Sequence, residues 1–365
     1  MTEMKPRQRV LTALNLGVPD RVPFMESAID EILQVQLMGR DNFTPDELCE
    51  KLGLDAFGYD YPATGGELGT GEVARGITTH DVYYFPKRIT FDFLPPWIAD
   101  KGEGVAGRSF IKKGLLTDND SIALFDKFLP DPHHLARYDI VSDWISKYKK
   151  DYAVFARIRL GAAPTINSMG FEELCYKIFD NPNLVKEVHR RFSEWTAQVI
   201  QHLNKMDFDF IWAADDIADN KGPWFSPAIF QEFFLPYMKI AADEIKKPWV
   251  FHSDGNLFPI MDDLLSLGMQ GIHPLQPAAM DIVKMKEDYG HRVCLVGNID
   301  LDYTLTRGTP EEVEEEVKQR IETIGQKGGY IVSSANSLAS YVKPENALAL
   351  GQAVKKYGKY PLIID

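Results

Sequence analysis

The stretch Val250–Asn256 reads "VFHSDGN": an apolar run gives way to a histidine, a serine and a carboxylate within three residues. As extended chain it is a strand whose end places His252 and Asp254 on one face, because side chains two apart share a side. A strand that is apolar until its last residues suits a parallel sheet buried on both faces. Outward from it, short apolar runs alternate with longer segments of helical period from about residue 150 onward, the pattern of repeated βα units. The predicted strands are Ala153–Leu160, Phe208–Ala214, Pro248–His252, Gly271–Leu275, Val293–Gly297 and Gly329–Ser334.

The helices between them carry start signals. Asn181-Pro182 precedes Leu184, Val185, Val188 and Phe192, and Ser226-Pro227 precedes Ile229, Phe230 and Phe233. In each, a capping side chain stands before a proline at the first helical position. Thr309-Pro310-Glu311-Glu312 adds a capping box ahead of Val313, Val317 and Ile321. Two further strands, Arg21–Met25 and Asp55–Tyr59, bring the count to eight, which closes a (β/α)8 TIM barrel in an α/β fold. Residues from about 77 to 130 break the rhythm: "HDVYYFPKRITFDF" and "GVAGRSFIKKGLL" read as an antiparallel β insertion in the N-terminal half of a single barrel domain spanning 1–365. A separate small domain is the alternative, although no flexible linker marks a boundary.

Composition narrows the function classes. The 365 residues carry a net charge of −13, and a sequence-independent grip on nucleic acid or anionic membrane needs the opposite sign. The acidic run Glu311–Glu316 is a solvated helix face. Cys49, Cys175 and Cys294 are far apart without CxxC spacing, as reduced thiols of a cytoplasmic protein would be. No apolar run reaches the roughly 18 to 20 residues of a spanning helix, and no secretory leader opens the chain. Neither a P-loop nor a GxGxxG between strand and helix supports nucleotide binding, and the glycine-rich Gly65–Gly71 reads as an active-site loop.

Barrel active sites form where strands end, so the polar residues there are the candidates. They are Asp215, Asp216 and Asp219 after the fourth predicted strand, His252 and Asp254 after the fifth, His273 and Gln276 after the sixth, Asn298 and Asp300 after the seventh, and Ser333, Ser334 and Asn336 after the eighth. Like charges converging there need a cation, a proton or a basic ligand to offset them. Asp215 and Asp216 point to opposite sides of extended chain, so one of the two faces the mouth and the other caps the next helix or bonds within the loop. His252 with Asp254 would hold a metal, act as general acid and base, or bind substrate. His273, just before Pro274, serves structure or substrate.

The segments "DDIADNKGPWFSPAIFQEFFLPYMKI" (215–240), "HSDGN", "LQP" and "LVGNID" resemble the uroporphyrinogen decarboxylase superfamily over nearly the whole chain, most strongly from about 180 to 350. The resemblance implies a (β/α)8 barrel and one of two activities: decarboxylation of a tetrapyrrole precursor, or methyl transfer to or from a corrinoid protein. The decarboxylases carry a basic motif close to "RQAGRY" near the N-terminus. Here "RVPFMESAIDEIL" stands instead, with Glu26, Asp30 and Glu31 where positive charge is wanted, and Arg157 and Arg159 do not replace it.

The methyltransferases similar to this sequence hold zinc through a histidine, a cysteine two residues on and a second cysteine near the eighth strand. His252 matches the histidine, Asp254 replaces the first cysteine, and "VSSANS" lacks the second. An oxygen-rich centre suits an ether or alcohol better than a thiol. The resemblance therefore implies the substrate-side methyltransferase of a corrinoid-dependent system, acting on a small methylated compound such as an aromatic methyl ether. Zinc on His252 and Asp254, and a corrinoid supplied by a partner protein, would be its cofactors. Catalytic roles would fall to Asp216, His252 and Asp254. Tyr59, Tyr61, Trp212, His273, Asn298 and Asn336 would line the substrate site. The alternative is a decarboxylase of a tetrapyrrole or another carboxylate, and a homo-oligomer is compatible with either.

Overall fold

The computed structural model describes residues 3–59, 116–123, 126, 131–133 and 135–362. Seven parallel strands lie in one sheet in the order β1 (Ala56–Tyr59), β2 (Ala153–Ile158), β3 (Phe210–Ala214), β6 (Trp249–His252), β7 (Gly271–His273), β8 (Cys294–Val296) and β9 (Tyr330–Ile331). Between β3 and β6 a small antiparallel pair, β4 (Ala218–Asp219) and β5 (Gly222–Pro223), forms a tight hairpin. The first predicted strand contracts to Phe24 and Met25, which bridge in parallel to Val332 and Ala56 respectively. Hydrogen bonds from Met25 N to Val332 O (3.1 Å) and from Asp55 N to Phe24 O (2.7 Å) join the two sheet edges there. The sheet thus curls into the barrel that the strand count anticipates.

The structure trims the predicted strands, chiefly at their ends. The sixth stops at His273 because Pro274 has no N–H to donate, and Leu275 sits at φ 59°. The helices begin at the capping sequences: Pro182–Leu203 behind Asn181, whose side chain accepts from Leu184 N, Pro227–Phe233 behind Ser226, and Pro310–Ile324 behind the Thr309–Glu312 box. The antiparallel insertion expected over about 77–130 lies outside the described residues except for 116–123 and 126, where Asp120–Ile122 forms a short 3-10 turn.

Two apolar layers hold the barrel. Val154, Ala156, Ile211, Ala213 and Phe251 face outward into the layer shared with the helices. Phe155, Phe210, Trp212, Val250, Cys294, Val296 and Ile331 fill the interior. Helix Pro6–Leu14 closes the interior at the end away from the strand termini, adding Val10, Ala13 and Leu14 to the same inner cluster. The barrel is therefore a packed core open to chemistry only at its C-terminal face. Among the described residues, no helix is long and apolar enough to cross a membrane.

Candidate active site

Parallel register places His252 beside Ala214 on one side and His273 on the other. Neighbouring residues in register point the same way, so the two imidazoles meet, with Nδ1 atoms 2.6 Å apart and rings stacked at 4.8 Å between centroids. One nitrogen donates and the other accepts. His273 is fully buried; loss of solvent and the neighbouring His252 charge hold its pKa well below the ordinary imidazole value, so it stays neutral. Its Nε2 lies 3.2 Å from Ser333 Oγ, and Trp212 meets its ring edge-on.

The other nitrogen of His252 faces two carboxylates: Nε2 is 3.5 Å from Asp216 Oδ1 and 3.9 Å from Asp254 Oδ1. The backbone N–H of Asp254 donates to Asp216 Oδ1 at 3.4 Å, and Asn336 Nδ2 donates to Asp254 Oδ2 at 2.6 Å. Burial works against ionising Asp216, but the hydrogen bond and charge of His252, with the charge of Arg159, outweigh it and lower its pKa. Asp215, its neighbour, turns inward. Its carboxylate accepts Leu160 N at 2.6 Å and Ala163 N at 2.7 Å, capping helix Ala162–Met169, and burial raises it to about 6.

Glu26, which the sequence shows only as negative charge near the mouth, lies just past Phe24 and Met25 and is buried. It accepts Ser334 N at 2.8 Å, Ser334 Oγ at 2.7 Å and Ser333 Oγ at 3.4 Å. Burial nevertheless pushes its pKa up to about 8. Its signal in the sequence is "VPFMES", an apolar run that ends in a carboxylate. Arg159 donates to the Ala214 carbonyl, and its charge bears on both Asp215 and Asp216.

The remaining candidates scatter. Trp212 is completely buried in the barrel interior, beneath the histidine pair. Asn298 is buried with its amide donating to Leu275 O at 2.7 Å. Tyr59 ends β1, its side chain lying outside the described residues, as does Tyr61 altogether. Asn336 joins Asp254, and His273 joins His252. Beside Asp254 and Asn336 a cavity of about 120 Å³ is walled by Gln276, Asp300, Asp302 and Tyr341.

The donor set fits a divalent metal. One ligand atom each from Asp216, His252 and Asp254 lie within 4.8 Å of one another. His252 and Asp254 also have the outer hydrogen-bond partners that orient metal ligands, in His273 and Asn336.

Comparison with known proteins agrees with this architecture. A protein described as a methyltransferase from Methanosarcina mazei superposes with a TM-score of 0.68 over 97% of this chain and 99% of its own, at 19% identity, a likeness of fold alone. Uroporphyrinogen decarboxylase of Chlorobium phaeovibrioides is 25% identical over 62% of this chain and 67% of its own length. That of Pseudoalteromonas atlantica is 25% identical over 52% of this chain, so that the chain spans about half (53%) of that relative's length. Residues 162–357, more than half of the sequence and including β3 through β9, match the family described as uroporphyrinogen decarboxylase (URO-D), and the chain belongs to that family.

Proposed function

We propose that this chain is the substrate-side methyltransferase of a corrinoid-dependent demethylation system, passing a methyl group from a small methylated compound to a corrinoid protein. The observation that carries the reading is the centre at the barrel mouth: His252 Nε2 facing Asp216 and Asp254. Its donors are one nitrogen and two oxygens, a hard set matched to an oxygen or nitrogen leaving atom rather than to a thiol. The fold match to a protein described as a methyltransferase accords with this reading.

Zinc held by His252, Asp254 and Asp216 would supply Lewis acidity to the atom that leaves the methyl group. The chain's own residues prepare that step. Asn336 fixes Asp254, His273 fixes the His252 ring, and Arg159 helps keep Asp216 ionised. The substrate would enter from the open face, because the strands below are sealed by Trp212, Phe155 and Phe210. The acidic wall of the cavity beside Asp254 also suits a small cation, which supports testing methylammonium compounds beside methoxylated aromatics as donors.

The test is methylation of a separately purified Co(I) corrinoid protein, followed by its absorption change, with a panel of both donor classes. Transfer by the wild type and its loss in His252→Ala is the expected result; no transfer across the panel with several corrinoid partners counts against the reading. The second reading, decarboxylation, draws on the curated relatives named uroporphyrinogen decarboxylase. There Asp216 would stabilise a protonated pyrrole-like intermediate, and chelator-insensitive release of CO₂ from a porphyrinogen would favour it.

A further inference from the structure

An unbroken line of hydrogen-bonding atoms runs from Glu26 to the mouth. Glu26 Oε2 meets Ser333 Oγ at 3.4 Å, Ser333 Oγ meets His273 Nε2 at 3.2 Å, and His273 Nδ1 meets His252 Nδ1 at 2.6 Å. Each link can point only one way at a time, since one atom gives the proton and the next receives it. A cation on His252 Nε2 requires the imidazole proton on Nδ1. His252 then donates to His273, neutral His273 donates from Nε2 to Ser333, and Ser333 donates to Glu26 as a carboxylate. A protonated Glu26 that donates to Ser333 turns every bond round and leaves a proton on His252 Nε2, the atom the cation needs.

We propose that cation binding at His252 is coupled to ionisation of Glu26 through Ser333 and His273, which makes Glu26 a positioning residue for the centre. The inference rests on the metal reading above. The protons balance: the Nε2 proton of His252 leaves to solvent, each link shifts by one, and the Glu26 proton moves onto Ser333. Burial supports the coupling by keeping Glu26 protonated at neutral pH before a cation binds. On its other side Glu26 borders a cavity of about 300 Å³ whose walls include Ile29, Phe43, Phe57 and Trp144. Cys49, also in that wall, is held as a neutral thiol by burial, and the charge of Arg157 bears on His273.

The experiment titrates zinc chloride into metal-free protein by calorimetry, in buffers of different ionisation enthalpy, to count protons released. The difference between variants isolates the proton that traces back along the line to Glu26. At neutral pH the wild type should release about one proton more than Glu26→Gln, and from this source its zinc affinity should climb about tenfold per pH unit up to about pH 8. Ser333→Ala should lose the same proton and bind zinc about 10- to 100-fold more weakly. Ser334→Ala, which removes a Glu26 partner outside the line, should keep the proton. Equal proton release in wild type, Glu26→Gln and Ser333→Ala, or a loss in only one of those two variants, overturns the coupling. So does a loss in Ser334→Ala. Thermal unfolding checks each variant; should Glu26→Gln not fold, the Ser333→Ala and Ser334→Ala pair decides. Failure of the wild type to take zinc overturns the metal reading itself and the coupling with it, whereas zinc uptake with an unaltered proton count overturns the coupling alone.

Discussion

At the scale of single residues, Asp215 and Asp216 show how adjacent carboxylates divide between structure and chemistry. Asp215 spends both oxygens on backbone N–H groups of Leu160 and Ala163, whereas Asp216 turns to His252. Asp215→Asn sets an amide N–H₂ against one of those donors, so denaturant unfolding should show a loss of about 1–3 kcal/mol. Asp216→Asn leaves the fold's stability nearly unchanged and should abolish zinc uptake. Equal destabilisation by the two substitutions would refute this division. The sequence shows that two successive residues of a strand face opposite ways, but the side each one takes depends on where the next helix begins, which is tertiary information. Glu26 illustrates the same limit. Its position after an apolar run was visible, yet its buried bonds to Ser333 and Ser334 join chain segments about 300 residues apart.

At the scale of elements, the strands and helices were legible because their signals are local: apolar runs for the strands, and caps and N1 prolines for the helices. Nothing in the sequence of helix Pro6–Leu14 says that it closes one end of the barrel. Its role rests on Arg9, which reaches Asp55 at 2.6 Å and Asp20 at 2.7 Å, with Arg21 adding a 2.9 Å contact to Asp55. Asp55 is fully buried, directly ahead of β1, and also accepts Phe24 N at 2.9 Å. Removing Arg9 leaves that buried carboxylate short of charge, a loss on the order of 3–5 kcal/mol by the cost of breaking a buried pair. We expect Arg9→Ala to lower the unfolding midpoint accordingly while zinc affinity at 25 °C stays that of the wild type, because the site lies at the opposite end of the strands. Weakened zinc binding in a folded Arg9→Ala protein would show that the helix also shapes the mouth.

At the scale of the whole molecule, the barrel is uneven around its circumference. β2, β3 and β6 pair over four residues at each junction. The seam between β9 and β1 is spanned by Phe24 and Met25, following Pro23, which has no N–H to contribute. The first predicted strand, Arg21–Met25, is countable in the sequence, but its shortness is not, because an isolated bridge and a full strand share the same apolar pattern. A short strand offers fewer interstrand bonds to lose before it opens, so the seam is the place where the ring should part at least free energy. Amide exchange under native conditions should therefore find Met25 and Val332, bonded at 3.1 Å (Met25 N to Val332 O) and 2.9 Å (Val332 N to Pro23 O), at least about tenfold less protected than Ile211, which donates to Pro248 O at 2.9 Å. Glu26 follows this seam directly, so opening there would also break its bonds to Ser333 and Ser334 and disconnect the line to His252. A cation on His252 that orders the line should then slow exchange at Met25 and Val332 more than at Ile211, and uniform slowing of all three would show that the seam and the centre are energetically separate.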